Sequence, residues 1–329
     1  MNTITDCPAG HLAPEAVDAV LRAAVSAPSS HNTQPWIFAV EPGVIHVRAD
    51  RTRALPVNDP DDRELVMSCG AALFNLRVAA WHAGASPTVS ILPDAGDPDL
   101  LATVHLHGGG RSLADVDRLY AAIELRRTHR DGFVDRALPA GVADELRAHA
   151  YAEGAWLALL DEDERNRLAD LVAEGDRMQW ANRHWRRELA AWFHPRRTGD
   201  GLVTPWLIAP LTHMAVATLD IGMPTATRDR ERTGQAHAIA VLDTHGDRPR
   251  DWLIAGMALE HVLLHAASQD LQACFLNQPI QVPELRMHVA SLLGRPCFPQ
   301  AIVELGYPVH PPRPTPRRPL ADVMDAAPA

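Results

Sequence analysis

The chain has 329 residues, 47% of them apolar, which suffices for one or two domains with a sizeable core. Its net charge of -10 argues against general nucleic-acid binding. All 31 basic residues are arginine, so chemistry that needs a Schiff-base or P-loop lysine is excluded. No window approaches the ~20 apolar residues of a membrane span. The N-terminus lacks the basic start and apolar run of a signal peptide, so a cytoplasmic protein is expected. Cys7, Cys69, Cys274 and Cys297 lack metal-ligand spacing and read as free thiols.

In chain order, "PEAVDAVLRAAVSA" (14–27) has helical apolar spacing and stops at Pro28. The polar stretch "APSSHNTQPW" follows, with turn residues and a tryptophan. Residues 45–49 and 88–92 alternate like strands. Between them, 64–83 reads as a long helix apolar on most faces, hence buried. A strand, "LATVHLHG", then runs into Gly108, Gly109 and Gly110, where a boundary is expected. Ser112 and Asp115 resemble a cap for a helix ending near Leu125, followed by "RRTHRDGF". Next come a helix near 140–149, a strand at 155–160 and a charged helix from Glu162. Residues 177–234 hold four of the eight tryptophans, Trp180, Trp185, Trp192 and Trp206. They read as a helix plus an irregular, lid-like insert. Strand 238–242, a buried helix 252–267, and strands in "LQACFL" and "QAIVELGYP" complete the order before a Pro/Arg tail, a composition ordinarily disordered.

The order hides a repeat. "GAALFNLRVAAWHAG" (70–84) aligns without gaps on "GMALEHVLLHAASQD" (256–270), with Gly, Ala, Leu and Ala recurring at 70/256, 72/258, 73/259 and 80/266. Two strands follow each copy. The expected architecture is therefore α+β, two related halves at 1–110 and 111–329, packed through one buried helix from each.

Two polar clusters carry candidate chemistry. Arg126, Arg127, Thr128 and Arg130 fall within five residues, and "PTPRRPL" adds Arg317 and Arg318. Arginine forks match phosphate oxygens bidentately. The loop with Pro28, Ser29, Ser30, His31, Asn32 and Gln34 could border a flat heteroaromatic ring. His261 and His265 have zinc-pair spacing but lack the HExxH glutamate, so no metal site is expected. Neither G-x-S-x-G nor G-x-G-x-x-G occurs.

Together, "APSSHNTQPWIF", "RRTHRDGF" and "LGYPVHPPRPTPRRPLADV" resemble the flavin-binding motifs of the nitroreductase superfamily, and "DRMQWANRHWRRELAAWF" resembles its fused Acg-like branch. The resemblance implies two tandem nitroreductase-like halves, each a mixed sheet with helices, forming an intrachain pseudo-dimer. It implies one FMN per chain, with NAD(P)H as electron donor and hydride passing through the flavin N5 to a nitroaromatic, quinone or activated alkene. Arg126, Arg127, Thr128, Pro316, Arg317 and Arg318 would surround the phosphate. Arg130 would stabilise the reduced flavin. Pro28, Ser29, Ser30, His31, Asn32 and Gln34 would border the ring, and Asn277, Gln278 and Pro279 would face N5. No protein side chain is expected to act as acid or base. The alternative is a non-catalytic FMN store whose insert covers the flavin. The partners implied are a small-molecule acceptor or none, without nucleic acid or membrane, in a monomer or homodimer.

Overall fold

The fold is built around two helices that carry the repeat. In this computed structural model the described residues are 12–109, 115–193, 199–202, 209–219, 222–236 and 238–325. The first half contains α1 (Pro14–Val25), β1 (Trp36–Glu41), β2 (Val44–Ala49), α2 (Arg63–His82), β3 (Ala85–Ile91) and β4 (Leu100–Gly108). Next come α3 (Val116–Leu125), α4 (Val142–Ala152), β5 (Trp156–Leu159), α5 (Glu162–Ala181), α6 (Arg183–Ala191), α7 (Ala209–Thr218) and α8 (Gly222–Gln235). The chain closes with β6 (Ile239–Thr244), α9 (Pro249–Ala267), β7 (Gln272–Phe275), α10 (Gln278–Gln281), α11 (Pro283–Leu292) and β8 (Phe298–Gly306).

Each half forms a four-stranded sheet, ordered β1-β2-β4-β3 in one and β5-β6-β8-β7 in the other. The likeness reaches irregularities: the pairing shifts register between Val47 and Arg48 in one sheet and between Leu242 and Asp243 in the other. The named strands pair antiparallel throughout, which corrects the expected mixed sheet. Among the described residues parallel pairing is confined to single bridges at the edges, Phe38 with Met324 and Thr128 with Ala273.

The helices α2 and α9 cross where the repeat places its glycines. A Cβ on Gly70 would stand 2.3 Å from the Leu253 carbonyl oxygen, and one on Gly256 would stand 2.0 Å from that of Met67. These contacts are each other's mates, because Met67 and Leu253 occupy matching positions of the repeat. The crossing is thus isologous, as in a two-fold dimer, within one chain. Both helices are buried along most of their length, as their apolar faces require.

Several boundaries differ from the sequence reading. β1 was not expected, yet Trp36 and Phe38 alternate inward with no exposure. Asp115 sits at the N-cap of α3 without a side-chain capping bond, and Ser112 lies outside the described residues. The insert begins inside α5, whose start is fixed by a reciprocal capping box between Asp161 and Glu164. Its described part is mostly helical; Trp206 lies outside it. The tail packs on the first half rather than standing free: Val323 is fully buried and Asp325 N donates to the Phe38 carbonyl at 2.8 Å. Thus the end of the second half closes on the first.

Candidate active site

A cavity of about 650 Å³ opens between the halves, within the range of small-molecule sites. One end is a positive pole. Leu125 ends α3, so the chain turns extended at Arg126 and aims its guanidinium inward. Arg126 Nη2 and Arg317 Nη2 donate to the Ser26 carbonyl at 3.0 and 3.1 Å. That carbonyl closes α1, whose C-terminal dipole favours cations. The first half's helix end therefore gathers arginines from the second half and the tail.

The pole is short of negative charge. Glu260, fully buried on α9, lies in an ion pair with Arg126 Nε at 3.4 Å, and that Nε makes no hydrogen bond. Burial raises the Glu260 carboxyl to about 7 against the pull of Arg126. Burial lowers Arg317 to about 9, and Arg126 and Arg127 push it further the same way. Arg127 is lowered by burial and by Arg126, with Glu124 opposing. The buried Arg317 Nε also lacks a partner. Unpaired buried donors among mutually repelling cations call for an anion with several acceptor oxygens.

The polar loop forms the next wall. His31, Asn32 and Gln34 have φ of 52, 56 and 52°, uncommon for residues with a Cβ. Surrounding contacts hold this shape. Gln34 N donates to Ser29 Oγ at 2.9 Å, and Asn32 Nδ2 reaches the Gly201 and Pro316 carbonyls at 3.2 and 3.3 Å. Strain so firmly held points to function. Burial lowers the His31 imidazole to about 4, Glu64 opposing and Arg130 assisting, so the ring is neutral at pH 7.

A wall of acids and amides closes the other side. Ser30 Oγ donates to Glu64 Oε2 at 2.5 Å, Gln281 Nε2 to Glu64 Oε1 at 3.0 Å, and Gln179 Nε2 to Gln281 Oε1 at 2.8 Å. This chain links the loop through α2 and α10 to α5. Gln278 Nε2 donates to Asp176 Oδ1 at 3.3 Å.

Among curated proteins, the chain is 32% identical over 322 residues to "Putative NAD(P)H nitroreductase Rv3131" of Mycobacterium tuberculosis, spanning 94% of this chain and 91% of that protein. The chain belongs to the nitroreductase family. "Putative NAD(P)H nitroreductase acg" of the same organism is 29% identical over 317 residues, 94% of this chain and 95% of its own length. No family profile matches the chain. Among solved structures, the "FMN and NADPH-dependent nitroreductase NfnB" of "sphigopyxis sp. strain HMH" shares 18% identity at a TM-score of 0.44. That match covers 63% of this chain and 98% of NfnB, a likeness too distant to bear on chemistry.

In this nitroreductase, twelve of the expected site residues line the cavity: Pro28, Ser29, Ser30, His31 and Asn32; Arg126, Arg127, Thr128 and Arg130; Asn277 and Gln278; and Arg317. Four stand behind it. Gln34 is fully buried, its Oε1 accepting from Arg318 N at 2.9 Å and its Nε2 donating to the Gly199 carbonyl at 2.8 Å. Arg318 turns away to the Gln34 and Asp322 carbonyls. Pro279 is buried in the first turn of α10, and Pro316 presents its carbonyl to Asn32. Glu64, Asp176, Gln179 and Gln281 were not among the expected site residues: Glu64 and Gln281 belong to no quoted motif, Asp176 and Gln179 open the "DRMQWANRHWRRELAAWF" segment, and the four meet only through the fold.

The insert supplies walls as well. Trp185, Leu189 and Phe193 face the cavity, and Trp185 Nε1 donates to Asn58 Oδ1 at 2.9 Å. Asp200 pairs with Arg53 of the first half. Gly199, with φ of 90°, passes so close to Arg317 that a Cβ would stand 2.0 Å from its carbonyl oxygen. Among the described residues no group of three or more His, Cys, Asp or Glu could hold a metal. No described helix is long and apolar enough to cross a membrane.

Proposed function

We propose that the cavity holds one FMN and that the chain is an NAD(P)H-dependent oxidoreductase acting on an electron-poor small molecule: a nitroaromatic, a quinone or an activated alkene. The observation that carries this reading is the positive pole, where Arg126 Nε has only the 3.4 Å ion pair to Glu260 and Arg317 Nε makes no hydrogen bond. A phosphate monoester dianion offers those donors acceptors and neutralises cations that otherwise repel one another. The residues present fit FMN in that respect, and the cavity is roomy enough for a ring beyond the pole.

In this reading Arg126, Arg127, Thr128 and Arg317 hold the phosphate, and Pro28 to Asn32 border the ring from the first half. Arg130 lends positive charge to the cavity, while Asn277 and Gln278 close it from the second half. Asn277 is fixed for this by its Oδ1, which accepts from Ile302 N at 2.9 Å. FMN, when bound, supplies two-electron exchange between a nicotinamide and an acceptor. Gln34 and Arg318 act behind the wall, holding the strained loop against the tail.

A second reading, FMN sequestration without turnover, is favoured by the insert. Trp185, Leu189 and Phe193 occupy a wall of the cavity, and Gly199 to Gly201 are tied to loop and tail. An anaerobic visible spectrum during addition of NADPH and then NADH separates the two. Flavin bands that bleach support the oxidoreductase. Bands that persist with both donors support sequestration, and a protein that binds no FMN overturns both.

A further inference from the structure

The cavity contains a carboxyl group for which the phosphate and the loop have no use. Asp176 lies on α5, 3% exposed, and lines the cavity together with Gln278 and Asp229. Its Oδ1 accepts one long bond from Gln278 Nε2 at 3.3 Å, whereas its Oδ2 is buried with no partner. Gln278 Oε1 is equally unpartnered. Native proteins rarely leave such groups unsatisfied, and exceptions tend to be functional. Glu64, another carboxylate of the cavity, is engaged by Ser30, Gln281 and Arg63. Only a glycine before Asp176 allows the pair to meet: a Cβ on Gly175 would stand 2.9 Å from the Gln278 carbonyl carbon.

We infer that Asp176 is the proton donor of the cavity, giving its carboxylic proton to the oxygen of a quinone acceptor while that acceptor is reduced. This rests on the oxidoreductase reading above. For a quinone the balance is simple. The acceptor gains two electrons and one hydrogen from NAD(P)H through the cofactor site. The Asp176 O–H bond breaks as a new O–H bond forms on the quinone oxygen. NAD(P)⁺ and hydroquinone leave, and the Asp176 carboxylate recovers a proton from water. Gln278 is the positioning residue: it holds Oδ1 and leaves Oδ2, which has no hydrogen-bond partner in the protein, for the acceptor.

The surroundings keep the group protonated near neutral pH. Burial raises Asp176 to about 7; Asp229 of α8 adds to the rise, while the Gln278 amide of α10 and Arg228 of α8 oppose it. Arg228 and Asp229 pair with each other at 3.0 Å, which blunts both charges. A general acid is most effective when its pKa lies near the working pH.

The test compares the FMN-loaded wild type with Asp176→Asn, an isosteric change, on two acceptors. 1,4-Benzoquinone requires protons, whereas ferricyanide takes electrons alone. The variant should lose on the order of 10²-fold in kcat with benzoquinone, with KM little changed, and keep the wild-type rate with ferricyanide. Wild-type kcat with benzoquinone should fall as pH rises through about 7, and the variant should lack that limb. Equal rates of wild type and variant with benzoquinone, or an equal loss with both acceptors, would overturn the inference. A wild type that reduces neither acceptor would instead overturn the oxidoreductase reading, and the proton-donor role with it. Infrared difference spectra of the resting protein give a readout without turnover. A protonated-carboxyl band should be present on the acid side of about pH 7, absent on the alkaline side, and missing in Asp176→Asn. An Asp176 already ionised on the acid side would sink the role. If the variant folds poorly, Asp229→Asn serves instead: it should shift the band's titration to lower pH, and an unmoved titration would count against the inferred environment.

Discussion

Two corners of the molecule occupy matching positions about the α2–α9 crossing and have opposite characters. At the first, Glu260 faces Arg126 and Arg317, and Asn75 Nδ2 donates to the Ala23 carbonyl near the end of α1 at 3.1 Å. At the second, the repeat puts Phe74 where Glu260 stands and His261 where Asn75 stands. His261 stacks on Phe74 at 4.6 Å and meets His149 of α4 at 4.3 Å, with Glu153 3.4 Å away. His149 also meets His265, which lies 2.8 Å from Glu145. Instead of a polar loop, α4 is followed only by a turn at Gly154 before β5. The same backbone scaffold builds a cationic pole on one side and a packed imidazole cluster on the other. The crossing is alike on both sides, whereas the side chains around it differ.

The largest break would come at the crossing itself. Gly256→Ala places a methyl group against the Met67 backbone, where no flexible side chain can yield. The expected loss is about 3 kcal/mol or more in a urea melt, with a similar loss for Gly70→Ala. Near-wild-type midpoints would show that the halves do not depend on this contact.

Next is the contrast in binding. Arg126→Ala or Arg317→Ala removes a charged donor and should weaken FMN by about 1.5–3 kcal/mol, roughly 10- to 150-fold by fluorescence titration. His149→Asn and His261→Asn should leave FMN affinity unchanged. Weakening by the histidine variants would erase the distinction between the corners.

The corners should also differ in pH response. Burial lowers His149 to about 4, with His261 and His265 adding to the effect. Its contribution is therefore complete above the unfolded value of about 6.5 and lost as pH falls through about 4. Glu260, raised to about 7, behaves in the opposite way: its contribution is complete below the unfolded value of about 4.3 and lost as pH rises through about 7. In FMN-free protein, Tm against pH should lose part of its acid limb in His149→Asn and part of its neutral limb in Glu260→Gln. Parallel curves for both variants would contradict the assigned environments.

The smallest effect concerns the insert. Asn32→Ala removes the side-chain bonds to the Gly201 and Pro316 carbonyls and should loosen residues 199–202 by about 1 kcal/mol. Faster amide exchange there would register it. Unchanged exchange would mean that Gln34 and Asp200 hold the segment without Asn32.

What was legible in the sequence follows from what is local. The repeated Gly-Ala-Leu-Ala spacing marks two close-packed helices, and the crossing bears this out at Gly70 and Gly256. "RRTHR" and the serine loop stand out because several polar residues are contiguous. The acid–amide wall is invisible for the opposite reason: Glu64, Asp176, Gln179 and Gln281 come from three helices and acquire meaning only as neighbours. β1 was hidden because Trp36 adjoins turn residues, although "WIFAV" alternates into the core. The tail looked disordered by composition, yet Val323, Met324 and Asp325 seal the first sheet's edge. Gln34 and Arg318 were grouped with cavity residues by proximity in sequence, whereas they bond to each other behind it.

The most direct test of a single site formed by one of two matching corners is an equilibrium titration of FMN-free protein with FMN, read by quenching of flavin fluorescence. The account predicts one FMN per chain, with binding lost in the Arg126→Ala/Arg317→Ala double variant and retained in His149→Asn. Two FMN per chain, or a double variant that still binds one FMN as tightly as wild type, would contradict it.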